Sequence, residues 1–109
     1  MKQINSLEQI NSLIDTREPV LVYFSGENCS VCKALKPKIE KEVLKNFPKF
    51  ELREIKVDLY KEIASSFSVF SIPTIVIFFD SKEFKRYGRN ISVSCFIDEI
   101  KRPYKLFTE

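Results

Sequence analysis

Residues 20–24 read Val-Leu-Val-Tyr-Phe, an unbroken apolar run that is β-branched and aromatic. A strand with one wet face alternates apolar and polar side chains. This one does not, so it reads as a strand buried on both faces, as in a parallel sheet. Directly after it, Ser25 to Asn28 make a loop. Cys29-Ser30-Val31-Cys32 follows, and from Cys29 or Ser30 onward the pattern turns helical, with Leu35, Ile39 and Val43 recurring every four residues. Pro37 interrupts that helix and predicts a kink rather than a stop. Pro48 lies beyond its end.

The rest of the chain extends the alternation. Residues 2–4 read as a short edge strand. Ser6 and Gln9 form a capping box for a helix over roughly 7–16, carrying Leu7, Ile10 and Ile14. Residues 51–58 are strand-like, and 60–67 are a short helix with Ile63 and Phe67. Thr74 to Phe79 is another apolar strand. Asp80-Ser81-Lys82 is a turn, and Glu83 to Tyr87 returns as a hairpin partner. Ser92 caps a last helix with Val93, Phe96, Ile97 and Ile100 on its buried face, and Pro103 is expected to end it. Tyr104, Leu106 and Phe107 then fold back or fray. The order β-α-β-α-β-α-β-β-α predicts an α/β fold with a mixed central sheet and helices on both faces.

At 109 residues, with 44% hydrophobic content, the chain is expected to form a single domain, 1–109, with one core. Its net charge of +3 is interspersed, which is no nucleic-acid footprint. Lys33, Lys36, Lys38, Lys41 and Lys45 read as a solvated helix face, or as a docking surface for acidic partners. No signal-peptide pattern stands at the start, and the run Ile72 to Phe79 is too short to cross a bilayer, so a cytoplasmic location is expected. No glycine-rich nucleotide motif is present, so neither a cofactor nor a bound nucleotide is expected.

Cys29 and Cys32 admit three readings: half of a zinc site, a structural disulfide, or a redox-active dithiol. Zinc needs four ligands, and beyond this pair the chain holds only Cys95 and no histidine, so no metal is expected. A structural disulfide gains little by closing so short a loop, and is uncommon in the cytosol. A dithiol gains most from this position. The helix N-terminus carries unpaired N–H groups and a partial positive charge, which lower the pKa of a thiol placed there. Cys29 can then attack a disulfide, and Cys32, one turn on, can resolve the mixed disulfide.

Together these features resemble the thioredoxin family. The likeness rests on Val20 to Cys32 as strand, loop and motif, on Lys33 directly after the motif with Pro37 five residues beyond Cys32, on Ser71-Ile72-Pro73-Thr74, and on Gly88 after the hairpin. The resemblance implies a thioredoxin fold. It implies that Ile72–Pro73 is cis and faces Cys29, and that Ile72, Pro73 and Thr74 form the substrate site, with the Ile72 backbone pairing with an extended peptide. It implies disulfide-bearing protein substrates, and a separate reductase such as thioredoxin reductase as electron donor.

The chain also departs from the family. Ser30 and Val31 stand where housekeeping members have Gly-Pro, and Asn28 stands where they have Trp. Tyr23 occupies the place of their buried aspartate, and Glu54 that of its lysine partner. One reading makes Tyr23 and Glu54 a swapped pair, with burial raising the pKa of Glu54 so that it serves as a proton relay. The other leaves Glu54 in solvent and Tyr23 as plain core. Lys33 and Lys36 are candidates for tuning the thiolate. Cys95, on the far side of the last helix, is expected to be exposed, either as a regulatory thiol or as an inert one. The function expected is a thiol–disulfide oxidoreductase. The rival is a redox-weak binding or chaperone-like module on the same fold, and a glutathione-dependent enzyme is a nearer variant.

Overall fold

A computed structural model describes all residues, 1–109. Five strands form one sheet: β1 (Lys2–Gln3), β2 (Val20–Ser25), β3 (Glu51–Lys56), β4 (Thr74–Phe79) and β5 (Lys82–Tyr87). The helices are α1 (Leu7–Ile14), α2 (Ser30–Asn46), α3 (Lys61–Ser66) and α4 (Val93–Thr108). The sheet order is β1-β3-β2-β4-β5. β1 and β2 pair with β3 in parallel, whereas β4 pairs antiparallel with both β2 and β5. The element order along the chain is the expected β-α-β-α-β-α-β-β-α, and the central strand, β2, is the one with the unbroken apolar run.

Alternation along β2 explains why that run is unbroken. Leu21 and Tyr23 point into a core shared with α2 and α4. Val20, Val22 and Phe24 point into a second core shared with α1 and α3. All six residues of β2 are buried, and each large apolar side chain so buried contributes about 1.5–3 kcal/mol.

The ends of the elements follow local chemistry. The Ser6 side chain accepts from the Gln9 N–H and starts α1. That helix stops at Ile14, two residues short of the expected end, and the chain reverses through Arg17 at φ 69°. The hairpin turn is made by Asp80 and Ser81, both at positive φ as a two-residue type I′ loop requires.

One expectation fails. Pro103 does not end the last helix; α4 runs through it to Thr108. The final turns are held by packing. Tyr104 stacks on Phe50 at 5.7 Å, and Phe107 stacks on Phe79 at 5.5 Å. The Lys49 N–H also donates to the Tyr104 hydroxyl at 2.9 Å. These contacts outweigh the backbone bond that proline cannot donate. α2 likewise continues through Pro37.

Candidate active site

β2 ends at Ser25, and the loop to α2 carries the chain across the carboxyl ends of the parallel strands. Cys29 is the N-cap of α2 and forms a disulfide with Cys32, with Cα atoms 5.2 Å apart. The Cys32 N–H donates to Cys29 Sγ at 3.2 Å. When the pair is reduced, the same N–H and the helix dipole favour a thiolate on Cys29. The two sulfurs differ in access. Cys29 is half-buried and borders a groove, while Cys32 is 2% exposed.

That groove has a volume of about 570 Å³ and runs from Gly26–Cys29 across Val57 and Asp58 to Val69–Ile72. Gly26 lets its walls meet. A β-carbon there would lie 2.8 Å from Ile72 Cδ1 and 4.0 Å from Cys29 Cβ. Asp58 pins the loop by accepting the Glu27 N–H at 3.2 Å. The Ile72–Pro73 bond is cis. The Ile72 carbonyl accepts only Arg89 Nη2, at 3.3 Å, and its N–H has no partner in the chain. An extended backbone with free polar groups beside the Cys29–Cys32 pair can take up another extended segment.

Behind the dithiol, on the α2 face of the sheet, lies a buried carboxylate. Glu54 is 1% exposed. It accepts from Ser25 Oγ at 2.6 Å, from Lys36 Nζ at 2.7 Å and from Gln3 Nε2, with Lys56 Nζ at 3.4 Å. Burial alone would raise its pKa. The hydrogen bonds from Lys36, Ser25 and Gln3, with the charge of Lys36, outweigh that and bring it down to about 2. Tyr23 is fully buried, and its hydroxyl donates to the Cys32 carbonyl at 2.7 Å. Burial, and then the charge of Glu54, push the phenol up to about 12.

The thioredoxin family model matches residues 2–102. A thioredoxin-like protein of Bacillus subtilis is 34% identical over 107 residues, covering 98% of this chain and 95% of its own length. A thioredoxin of Mycoplasmoides gallisepticum is 34% identical over 82 residues, covering 75% of this chain and 81% of its own. The chain belongs to the thioredoxin family. Among solved structures, Fasciola hepatica thioredoxin superposes with a TM-score of 0.79 at 26% identity, covering 95% of this chain and 99% of that one. Oxidised mitochondrial thioredoxin 3 of Saccharomyces cerevisiae shares the fold, with a TM-score of 0.80 at 22% identity and coverage of 93% of both chains. With this membership and a bonded Cys29–Cys32 pair at its site, the protein is a thiol–disulfide oxidoreductase.

Within this thioredoxin-family site, the expected residues separate into groups. Cys29 and Ile72 meet at the groove, and Pro73 is buried. Thr74 does not line the groove; it is buried, and its hydroxyl donates to the Ser71 carbonyl at 2.7 Å, fixing the loop. Glu54 is buried, as one of its two readings requires, but its pKa moves down rather than up, because that reading left its three donors out of account. Tyr23 and Glu54 are cross-strand neighbours, yet the Tyr23 hydroxyl turns to Cys32 instead. Lys36 is engaged by Glu54, and Lys33 is exposed on α2. Cys95 is exposed and free.

Sequence reading missed Gln3, Ser25, Gly26, Asp58 and Arg89. Gly26 had a signal, being one of only two glycines and lying just before the motif. Ser25 had a weaker one, a polar residue closing an apolar run. Gln3, Asp58 and Arg89 are brought in by tertiary contacts alone. No helix is long and apolar enough to cross a membrane.

Proposed function

We propose that this oxidoreductase works as a reductase of protein disulfides, with Cys29 as nucleophile and Cys32 as resolving thiol. The difference in access between the two sulfurs carries the reading: Cys29 borders the groove and Cys32 is 2% exposed. The substrate enters as an extended segment. Its backbone takes the free Ile72 N–H and displaces Arg89 from the Ile72 carbonyl, while Pro73 and Thr74 hold that backbone in place.

The Cys29 thiolate attacks one substrate sulfur. A Cys29–substrate bond forms, the substrate disulfide breaks, and its other sulfur leaves as a thiolate. That thiolate is basic near neutral pH and takes the Cys32 proton. Cys32 then attacks Cys29, closing the intramolecular disulfide and releasing the second substrate thiolate, which takes a proton from water. Two electrons pass from the dithiol to the substrate. Glu54, with a pKa of about 2, stays ionised throughout and serves as a fixed charge that holds Lys36, rather than as a proton store. Tyr23 positions Cys32 through its carbonyl. Lys33 adds positive charge at the start of α2.

The oxidised pair is returned to the dithiol by a separate reductase such as thioredoxin reductase, which makes the protein one carrier in an electron-transport chain. A reducing compartment, the cytoplasm, fits the exposed free thiol of Cys95. The test is a trap. Cys32→Ser, mixed with a protein disulfide, is expected to hold a one-to-one adduct on Cys29 that dithiothreitol releases, while Cys29→Ser holds none. Turnover of the unaltered protein is expected with NADPH and thioredoxin reductase. Turnover with glutathione alone would make it glutaredoxin-like. No adduct and no turnover would leave a binding module.

A further inference from the structure

We propose that Phe70 is a specificity-determining residue of this reaction: its ring receives a bulky apolar side chain from the extended protein segment whose disulfide Cys29 attacks. The inference rests on the reading that this groove takes protein substrates.

Phe70 is 84% exposed, more than any other large apolar residue of the chain, and it lines the groove that Cys29 borders. It is also the one phenylalanine of ten that pairs with no other aromatic ring. A loose loop does not account for this exposure, because the segment is tied on both sides. Arg86 donates to the carbonyls of Phe67 and Ser68 at 3.0 and 3.2 Å. Ser68 takes φ 56°, a conformation uncommon outside glycine, which turns the chain at this point. Val69 is buried, its N–H bonded to the Ala64 carbonyl at 2.9 Å. Beyond the ring, the Ser71 carbonyl accepts from Thr74. The backbone thus holds the ring out in water.

The surroundings state what would cover it. Val57, Ala64, Val69 and Ile72 form an apolar floor continuous with Cys29. Asn28, next to Cys29 and lining the same groove, is exposed and polar and adds no second ring. A segment laid along the Ile72 backbone with its sulfur at Cys29 therefore has one aromatic surface to meet. A large apolar side chain is the group that gains most from meeting it, since a ring can bury wide area at little cost in ordering.

The test uses pre-reduced protein in single turnover against two peptide disulfides that differ only beside the attacked cysteine, one carrying leucine and one serine. Bis(2-hydroxyethyl) disulfide, which carries no bulky apolar side chain, is the control. The unaltered protein is expected to reduce the leucine peptide about tenfold faster at subsaturating concentration. Phe70→Ser abolishes that preference, Phe70→Trp keeps it, and all three proteins reduce the small disulfide equally. A preference that survives Phe70→Ser, or none in the unaltered protein, overturns the proposal while leaving the reductase reading intact. Reduction of the small disulfide with neither peptide reduced would overturn the protein-substrate reading itself.

Discussion

The two faces of the sheet share their strands and differ in what they bury. Against α1 and α3 the strands present Val20, Val22, Phe24, Ile55, Val76 and Phe78, all apolar, with Thr74 at the start of β4 the one buried polar residue on that side. Against α2 and α4 the same strands present Leu21, Ile75 and Ile77, but also Tyr23, Ser25 and Glu54. A buried carboxylate costs several kcal/mol of desolvation, which its partners must offset, and Glu54 is partnered by Gln3, Ser25, Lys36 and Lys56. The face that bears this cost is the one beneath the dithiol. The strands of the first face carry stability, and Ala64 and Val69 of the same core extend to the groove; the second face carries stability together with the hydrogen bond from Tyr23 that orients Cys32.

The sharpest way to break this division is to remove the proposed nucleophile, Cys29. Cys29→Ser is expected to abolish disulfide reduction while the fold persists, as read by turnover and far-ultraviolet circular dichroism. Retained turnover would move the chemistry elsewhere. On the apolar face, Phe24→Ala is expected to cost about 3–5 kcal/mol in chemical denaturation, as large buried rings do. It should leave the reduction potential where it was; a shifted potential would show that the two faces are not separable.

Glu54 gives a pH signature. Its folded pKa lies below its unfolded value, so its stabilisation is present above about pH 4.5 and is lost as pH falls toward about 2. A difference of that size corresponds to about 3 kcal/mol. Glu54→Gln should therefore be less stable than the unaltered protein at neutral pH, and the gap should close in acid. Glu83 and Glu99, also held low by Arg86 and by Lys85 respectively, titrate in both proteins and cancel in the comparison. A gap that stays constant with pH would contradict the assignment. The smallest effect is expected from Tyr23→Phe. It removes one buried hydrogen bond, worth about 1 kcal/mol, and should slow resolution of the mixed disulfide more than its formation.

The apolar face was almost wholly legible in the sequence, because hydrophobic runs and periodicity report burial directly. Val20–Phe24, Ile63 and Thr74–Phe79 lie where their pattern puts them. The dithiol was legible from its spacing and its place after a strand. The Glu54 site was legible only in outline. Its donors come from β1, β2, β3 and α2, and no local pattern announces that Gln3, Ser25, Lys36 and Lys56 converge on one carboxylate. Without them, the direction of the pKa shift came out reversed. Pro103 misled for the same reason: a local breaker yielded to Tyr104 and Phe107 packing on Phe50 and Phe79.

The most direct measurement is the reduction potential of the Cys29–Cys32 pair, by equilibration against glutathione in a Cys95→Ser background. Ser30 and Val31 add no cation to the helix-terminal thiolate, so the account predicts a reversible couple on the order of −200 to −270 mV, in the range of reductases. A pair that does not cycle, or one near the strongly oxidising value of about −120 mV, would contradict it.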